Sequence, residues 1–186
     1  SCNWIGIQVK VNGEELDLNT SPEIASFYRE LDMQSGLLKR SFEATLPSGK
    51  IVAVQAERLV SIVQDEIGTI SYSVTPKNFS GKIELCSYLD FDVENEDSNY
   101  NEKFWEPVTQ GQEAGASYVH AKTKKTGFEV TAAMRNSITL DGKPQKWGMS
   151  SDAKHMFVSE RGCFEVAQVQ TLKSFSGSIE TYISSP

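Results

Sequence analysis

Two histidines, His120 and His155, and three cysteines, Cys2, Cys86 and Cys163, make up the whole supply of imidazoles and thiols in this sequence. A Ser-His-Asp arrangement would need one of the two histidines as its base. His120 stands between Val119 and Ala121 in an alternating pattern, and His155 directly precedes Met156-Phe157. Imidazoles in such places read as sheet-face residues more readily than as proton shuttles. The cysteines are far apart and odd in number, which fits neither a close-spaced zinc site nor an even disulfide framework. Cys86 lies in an apolar strand pattern and reads as a buried thiol. Unpaired thiols lean towards a reducing compartment, so a cytoplasmic location is expected. No nucleophile elbow, glycine-rich phosphate loop or His-Glu-x-x-His run is present, and Gly162 and Gly177 read as isolated turn glycines. The expectation is a chain with no catalytic residue, no metal and no cofactor of its own.

Carboxylates are the remaining chemistry, and they are unevenly placed. The formal charge is −7, yet the window from Asp90 to Glu106 holds Asp90, Asp92, Glu94, Glu96, Asp97, Glu102 and Glu106 against the single base Lys103. That window alone carries −6, and the rest of the chain is nearly neutral. A nucleic-acid binder needs a basic stripe to neutralise phosphates, so that class is excluded. Asp90, Asp92, Glu94 and Glu96 would share one face of an extended segment, as a calcium set could, but they lack the spacing and turn glycine of an EF-hand loop. Sugar hydrolysis wants two carboxylates about 5–9.5 Å apart across a bond, a geometry that neighbours along a strand do not guarantee. A solvated charged loop is the plain alternative. The favoured reading is a docking tongue at about 92–116, with Tyr100, Phe104 and Trp105 as anchors and the acids setting register. Its candidate interface residues are Asn95, Glu96, Asp97, Asn99, Tyr100, Glu102, Lys103, Phe104 and Trp105.

The elements that must position this segment are strands. Length allows one domain with a sizeable core. Ile5, Ile7, Val9 and Val11 alternate with polar residues, and Asn12-Gly13 supplies a hairpin turn before Glu14–Leu18. Phe27, Leu31 and Met33 lead to a Gln34-Ser35-Gly36 turn, and Leu38 to Ala44 closes on Pro47-Ser48-Gly49. Further strands are expected at Ile51–Ile62, Thr69–Val74, Lys82–Phe91, Ser117–Lys124, Phe128–Met134, Ser137–Leu140, Lys154–Ser159, Gly162–Leu172 and Ser178–Ser184. Ser21–Tyr28 has room for one short helical turn. From Asp92 to Ala116 the alternation lapses, a connection longer than compact domains usually tolerate without a function. The fold class expected is an all-β antiparallel sandwich filling residues 1–186. No apolar run is long enough to span a bilayer, and no basic or apolar leader pattern precedes the first strand.

Three runs carry a family resemblance. Leu31-Asp32-Met33-Gln34-Ser35-Gly36-Leu37-Leu38-Lys39-Arg40-Ser41-Phe42 resembles an "LDM…G.L.RSF" hairpin of glycoside hydrolase family 65. Glu57-Arg58-Leu59-Val60-Ser61 looks like its "ERF.S" strand. The run from Asn95 to Trp105 resembles the segment that follows a sandwich strand in the same N-terminal domain. Order and spacing agree from roughly Trp4 to Trp105; beyond that only the sandwich pattern continues.

The resemblance implies a truncated supersandwich of galactose-mutarotase-like type, standing before an (α/α)₆ catalytic barrel in a larger enzyme. It implies inverting phosphorolysis of a disaccharide such as maltose, with inorganic phosphate attacking and β-glucose 1-phosphate released. The acid and the phosphate site of that reaction belong to the barrel, and the family's early "LGNGY" run has no counterpart here. The implied partners are the barrel, a second subunit of a homodimer and, for the whole enzyme, the disaccharide and phosphate. A competing reading is a free-standing carbohydrate-binding sandwich that uses Tyr100, Trp105 and Trp147 as sugar platforms. Trp4 and Trp147 read more naturally as core or interface aromatics.

Overall fold

A computed structural model describes residues 2–94, 103–113, 115–152, 157–166 and 175–184, with backbone alone for the last of these strands and for parts of the two before it. The described residues form strands and turns, and no helix among them is long and apolar enough to cross a membrane. In chain order the strands are β1 (Ile7–Val11), β2 (Glu14–Glu15), β3 (Glu23–Asp32), β4 (Leu37–Thr45), β5 (Ile51–Val60), β6 (Ile67–Pro76) and β7 (Gly81–Asp90). Then follow β8 (Trp105–Glu113), β9 (Ala116–Thr123), β10 (Glu129–Leu140), β11 (Lys143–Pro144), β12 (Gly148–Asp152), β13 (Phe157–Val166) and β14 (Phe175–Ser184).

Two antiparallel sheets result. The smaller runs β12-β13-β7-β1-β2, and the larger runs β3-β4-β5-β6-β14-β10-β9-β8, with β11 paired to β10. Strands adjacent in sequence mostly pair, but β14 inserts between β6 and β10 and joins the two halves of the larger sheet. Apolar residues at every second position meet between the sheets, as period-two patterning requires. One cluster brings Val9, Val11, Ile83 and Leu85 of the smaller sheet against Phe42, Val52, Val54, Ile70, Tyr72 and Val74 of the larger. A second joins Leu89, Phe91 and Val158 to Val119, Ala121, Ala132 and Met134. Trp4 packs against both clusters. Gly68 lets it do so: a Cβ there would sit 2.5 Å from the indole ring.

Turn chemistry fixes the registers. Asn12 and Gly13 take φ of 50° and 85°, and Asp141 and Gly142 take 50° and 76°, the paired left-handed residues that two-residue hairpins demand. The β3–β4 turn closes with Gly36 N donating to Asp32 O at 2.8 Å, while the Asp32 carboxylate accepts from Gln34 N and Ser35 Oγ.

Four expectations need correction. The room for a helical turn at Ser21–Tyr28 is taken by β3, because ladder pairing with β4 from Glu23 to Asp32 outweighs weak local preference. The expected break between Met134 and Ser137 is absent, and β10 runs unbroken with Asn136 turned into the interior. Gly162 and Gly177 lie inside β13 and β14, paired with Leu85 and with Ile138 and Tyr72 respectively. The lapse at 92–116 contains a strand: β8 pairs with β9 through a bulge between Pro107 and Thr109. The bulge shifts the alternation by one residue, which hides the strand from a period-two reading.

Candidate functional site

The acidic window begins where β7 ends and finishes where β8 begins. Asn95, Glu96, Asp97, Asn99, Tyr100 and Glu102 lie outside the described residues; Lys103, Phe104 and Trp105 form the downstream root of the segment. At the upstream root, Asp92 N donates to Asp90 Oδ1 at 2.8 Å, and Asp90 bridges to Asn3 through two backbone hydrogen bonds.

The two roots are tied together. Lys103 Nζ donates to Asp92 Oδ1 at 2.7 Å, a charge-assisted contact that holds the Lys103 ammonium above its ordinary pKa. Below it the Trp105 ring meets Phe91 edge to face, with centroids 5.2 Å apart and planes at 74°. Phe91 is fully buried and belongs to the second core cluster, against which Trp105 packs. Phe104 is 38% exposed, and its carbonyl accepts from Lys124 N at 2.9 Å. Next along β8, Glu106 pairs with Lys122 of β9 at 3.0 Å. A short chain segment is therefore clamped at both ends by an ion pair and an aromatic pair.

This geometry divides the candidate residues. Trp105 is an internal anchor, half-buried on its own sandwich, whereas Phe104 offers ring surface outward. Trp147 also packs inward on the first cluster, so two of the three aromatics considered as sugar platforms serve the core. The carboxylate of Asp92 already has a cation, and among the described residues no three His, Cys, Asp or Glu side chains gather as a metal set. His120 lies on β9 with Nε2 3.3 Å from the Glu129 carboxylate, a cross-strand neighbour on a sheet face. His155 lies outside the described residues. Cys2 and Cys86 are buried, Cys163 is exposed, and none is bonded to another. Burial pushes the Cys2 thiol up to about 12, which keeps it protonated and inert.

One polar constellation has no counterpart in the sequence reading. Glu160 of β13 is 1% exposed between the sheets. Ser117 Oγ donates to its Oε1 at 2.9 Å, Asn136 Nδ2 donates to its Oε2, and the Trp147 side chain hydrogen-bonds it too. Asn136 Nδ2 also donates to Ser87 Oγ at 2.6 Å. Burial raises the Glu160 carboxyl above its ordinary pKa, and the donors offset part of that shift. A cavity of about 30 Å³ adjoins the group, lined by Ile7, Tyr72, Leu85 and Asn136 among others. In sequence, Ser159-Glu160-Arg161 reads as a plain polar stretch, and only the pairing of β13 with β7 turns Glu160 inward.

Comparison with known proteins gives a consistent picture. Residues 1–174 match the profile described as "Glycosyl hydrolase family 65, N-terminal domain". The chain is 37% identical to maltose phosphorylase of Bacillus subtilis (strain 168) over 139 residues, which is 72% of this chain and 18% of that protein. It is 33% identical to alpha,alpha-trehalose phosphorylase of Thermoanaerobacter brockii over 145 residues, 74% of this chain and 19% of that protein. A solved structure assigned by its description as a kojibiose phosphorylase from human microbiome superposes with a TM-score of 0.80 at 21% identity. It covers 99% of this chain and 22% of its own, and it supports the fold. The chain thus spans about a fifth of the length of the relatives it matches. With the sandwich and the sequence match in agreement, this chain belongs to glycoside hydrolase family 65, as the N-terminal domain of its phosphorylases.

Proposed function

We propose that this domain is the non-catalytic front of an inverting disaccharide phosphorylase, one that converts an α-glucoside such as maltose and phosphate to β-glucose 1-phosphate and a sugar. Its task is scaffolding and docking, with the clamped acidic segment engaging the catalytic barrel of the same chain or the partner subunit of a homodimer. The observation that carries the reading is the clamp itself: Asp92–Lys103 and Phe91–Trp105 fix both ends of a segment rich in acids and aromatics. A segment fixed at its base loses less entropy on docking than a free loop does. The identity to maltose and trehalose phosphorylases supports phosphorolysis as the parent chemistry. Phosphorolysis needs a positioned acid and a cationic clamp on phosphate, which in this reading the barrel provides. Unpaired thiols agree with a reducing, cytoplasmic setting.

The test uses the whole parent protein. Tyr100→Ala with Phe104→Ala is expected to weaken the dimer or the activity by about tenfold or more while the sandwich stays folded, since aromatic anchors at interface centres are typically worth 2 kcal/mol or more. Sedimentation and phosphorolysis assays read both effects. Unchanged assembly together with unchanged turnover would leave the segment as a solvated loop.

A further inference from the structure

Three arginines on consecutive strands of the larger sheet line one cavity. Arg29 of β3 lies directly across from Arg40 of β4, and Arg58 of β5 pairs with Leu38, one row along the same face. Ala56 and Tyr72 complete the first row, and Ile70 continues the second. With Ile5 and Ile7 from the smaller sheet's side, these residues line a cavity of about 250 Å³. Ile5, Ile7, Leu38, Ala56 and Ile70 supply its apolar lining, and Arg29, Arg40, Arg58, Tyr72 and Glu57 are its polar-bearing residues.

Within the described residues the charge in this bowl has no paired carboxylate: none forms an ion pair with Arg29, Arg40 or Arg58. Glu57 touches the cavity, but strand alternation assigns its side chain to the opposite face, where its neighbours in register are Lys39 and Ser71. Like charges placed directly across a sheet repel. Arg58 is half-buried: desolvation lowers its pKa, and the charges of Arg29 and Arg40 push the same way. Arg40 is held over the Phe42 ring at 5.5 Å, and that ring stacks on Phe27. Arg40 is thus oriented by aromatic packing, and the described chain offers no ion pair to relieve the repulsion among the three arginines.

We propose that this bowl is a binding site for a dianionic oxyanion carried on a small organic body, a phosphomonoester. Guanidinium forks match phosphate oxygens with parallel hydrogen bonds. A phosphomonoester brings a charge of about −1.5 to −2 near neutral pH, whereas a single carboxylate leaves two guanidinia unmatched. The cavity exceeds what a bare phosphate fills, and the apolar lining suits the carbon skeleton of the ligand. The proposal stands on the arginines alone and is independent of the phosphorylase reading.

Calorimetric titration of this chain with glucose 6-phosphate, inorganic phosphate, succinate and glucose tests it, with Arg29→Gln and Arg40→Gln beside the unaltered protein. Glucose 6-phosphate is expected to bind with a millimolar or tighter Kd, more tightly than inorganic phosphate, with glucose silent. Each arginine variant is expected to weaken it about tenfold, the scale of a lost charge-assisted fork. Arg29 is exposed on the edge strand, so its variant keeps the fold even if the Arg40 variant does not. Equal or tighter binding of succinate would overturn the phosphate assignment. Absence of binding at 10-fold above the millimolar range, or affinity unchanged in the Arg29 variant, would overturn the site.

Discussion

The enclosed carboxyl of Glu160 is the residue whose behaviour depends most on its surroundings, because burial raises its pKa while Ser117, Asn136 and Trp147 offset only part of the rise. A carboxyl whose folded pKa lies above its unfolded value contributes stability that is fully present below about 4.5 and lost as pH rises through the folded pKa. Glu160→Gln removes that titration. The expected outcome is that thermal melts of the two proteins diverge with pH just above 4.5, the native protein losing stability relative to the variant. A stability difference that stays constant across this range would contradict the assignment. At the same scale the thiols should separate by exposure. Native protein is expected to react quickly with a thiol reagent at Cys163 alone, and at Cys2 and Cys86 only after unfolding. Rapid native modification of Cys2 would show that its enclosure is wrong. Neither Glu160 nor the arginine bowl could be read from sequence: the Glu160 group joins strands distant along the chain, and the arginines share a face only through the registers of β3, β4 and β5. Arg40 and Arg58 did appear there, but only as letters in family motifs.

Strands were legible wherever alternation ran undisturbed and a turn had its own chemistry, as at Asn12-Gly13 and Asp141-Gly142. They were obscured where pairing partners decide the conformation. The alternation from Phe27 to Met33 showed the later part of β3. Its start, within Ser21–Tyr28, is exposed with no buried face and reads as room for a helical turn, and β8 is offset by its bulge. The root of the acidic segment makes the clearest element-scale prediction. Trp105→Ala removes the edge-to-face partner of Phe91 and part of the second core cluster, and it is expected to cost the sandwich about 2–3 kcal/mol, below a fully buried Trp. A urea midpoint unchanged in that variant would place the ring outside the core. Gly68→Ala drives a methyl into the Trp4 ring, and overpacking of this kind typically costs about 1–3 kcal/mol. The same urea experiment checks it, with an unaltered midpoint counting against the close approach.

At the scale of the whole molecule, the antiparallel sandwich follows from many short alternating segments and their turns, and the family from three motif runs whose order is kept. The chain covers about a fifth of the phosphorylases it matches. The proposed division of labour assigns chemistry to the remainder and positioning to this sandwich. The two readings of its surface make opposite demands: a docking domain needs no affinity for free sugar, whereas a carbohydrate-binding module must hold one. The most direct measurement is phosphate-dependent release of glucose 1-phosphate from maltose by the purified chain, run beside a maltose titration of the same sample. The account predicts no release and no millimolar maltose binding. Release of glucose 1-phosphate by this chain alone would contradict the claim that it is the non-catalytic part of the enzyme.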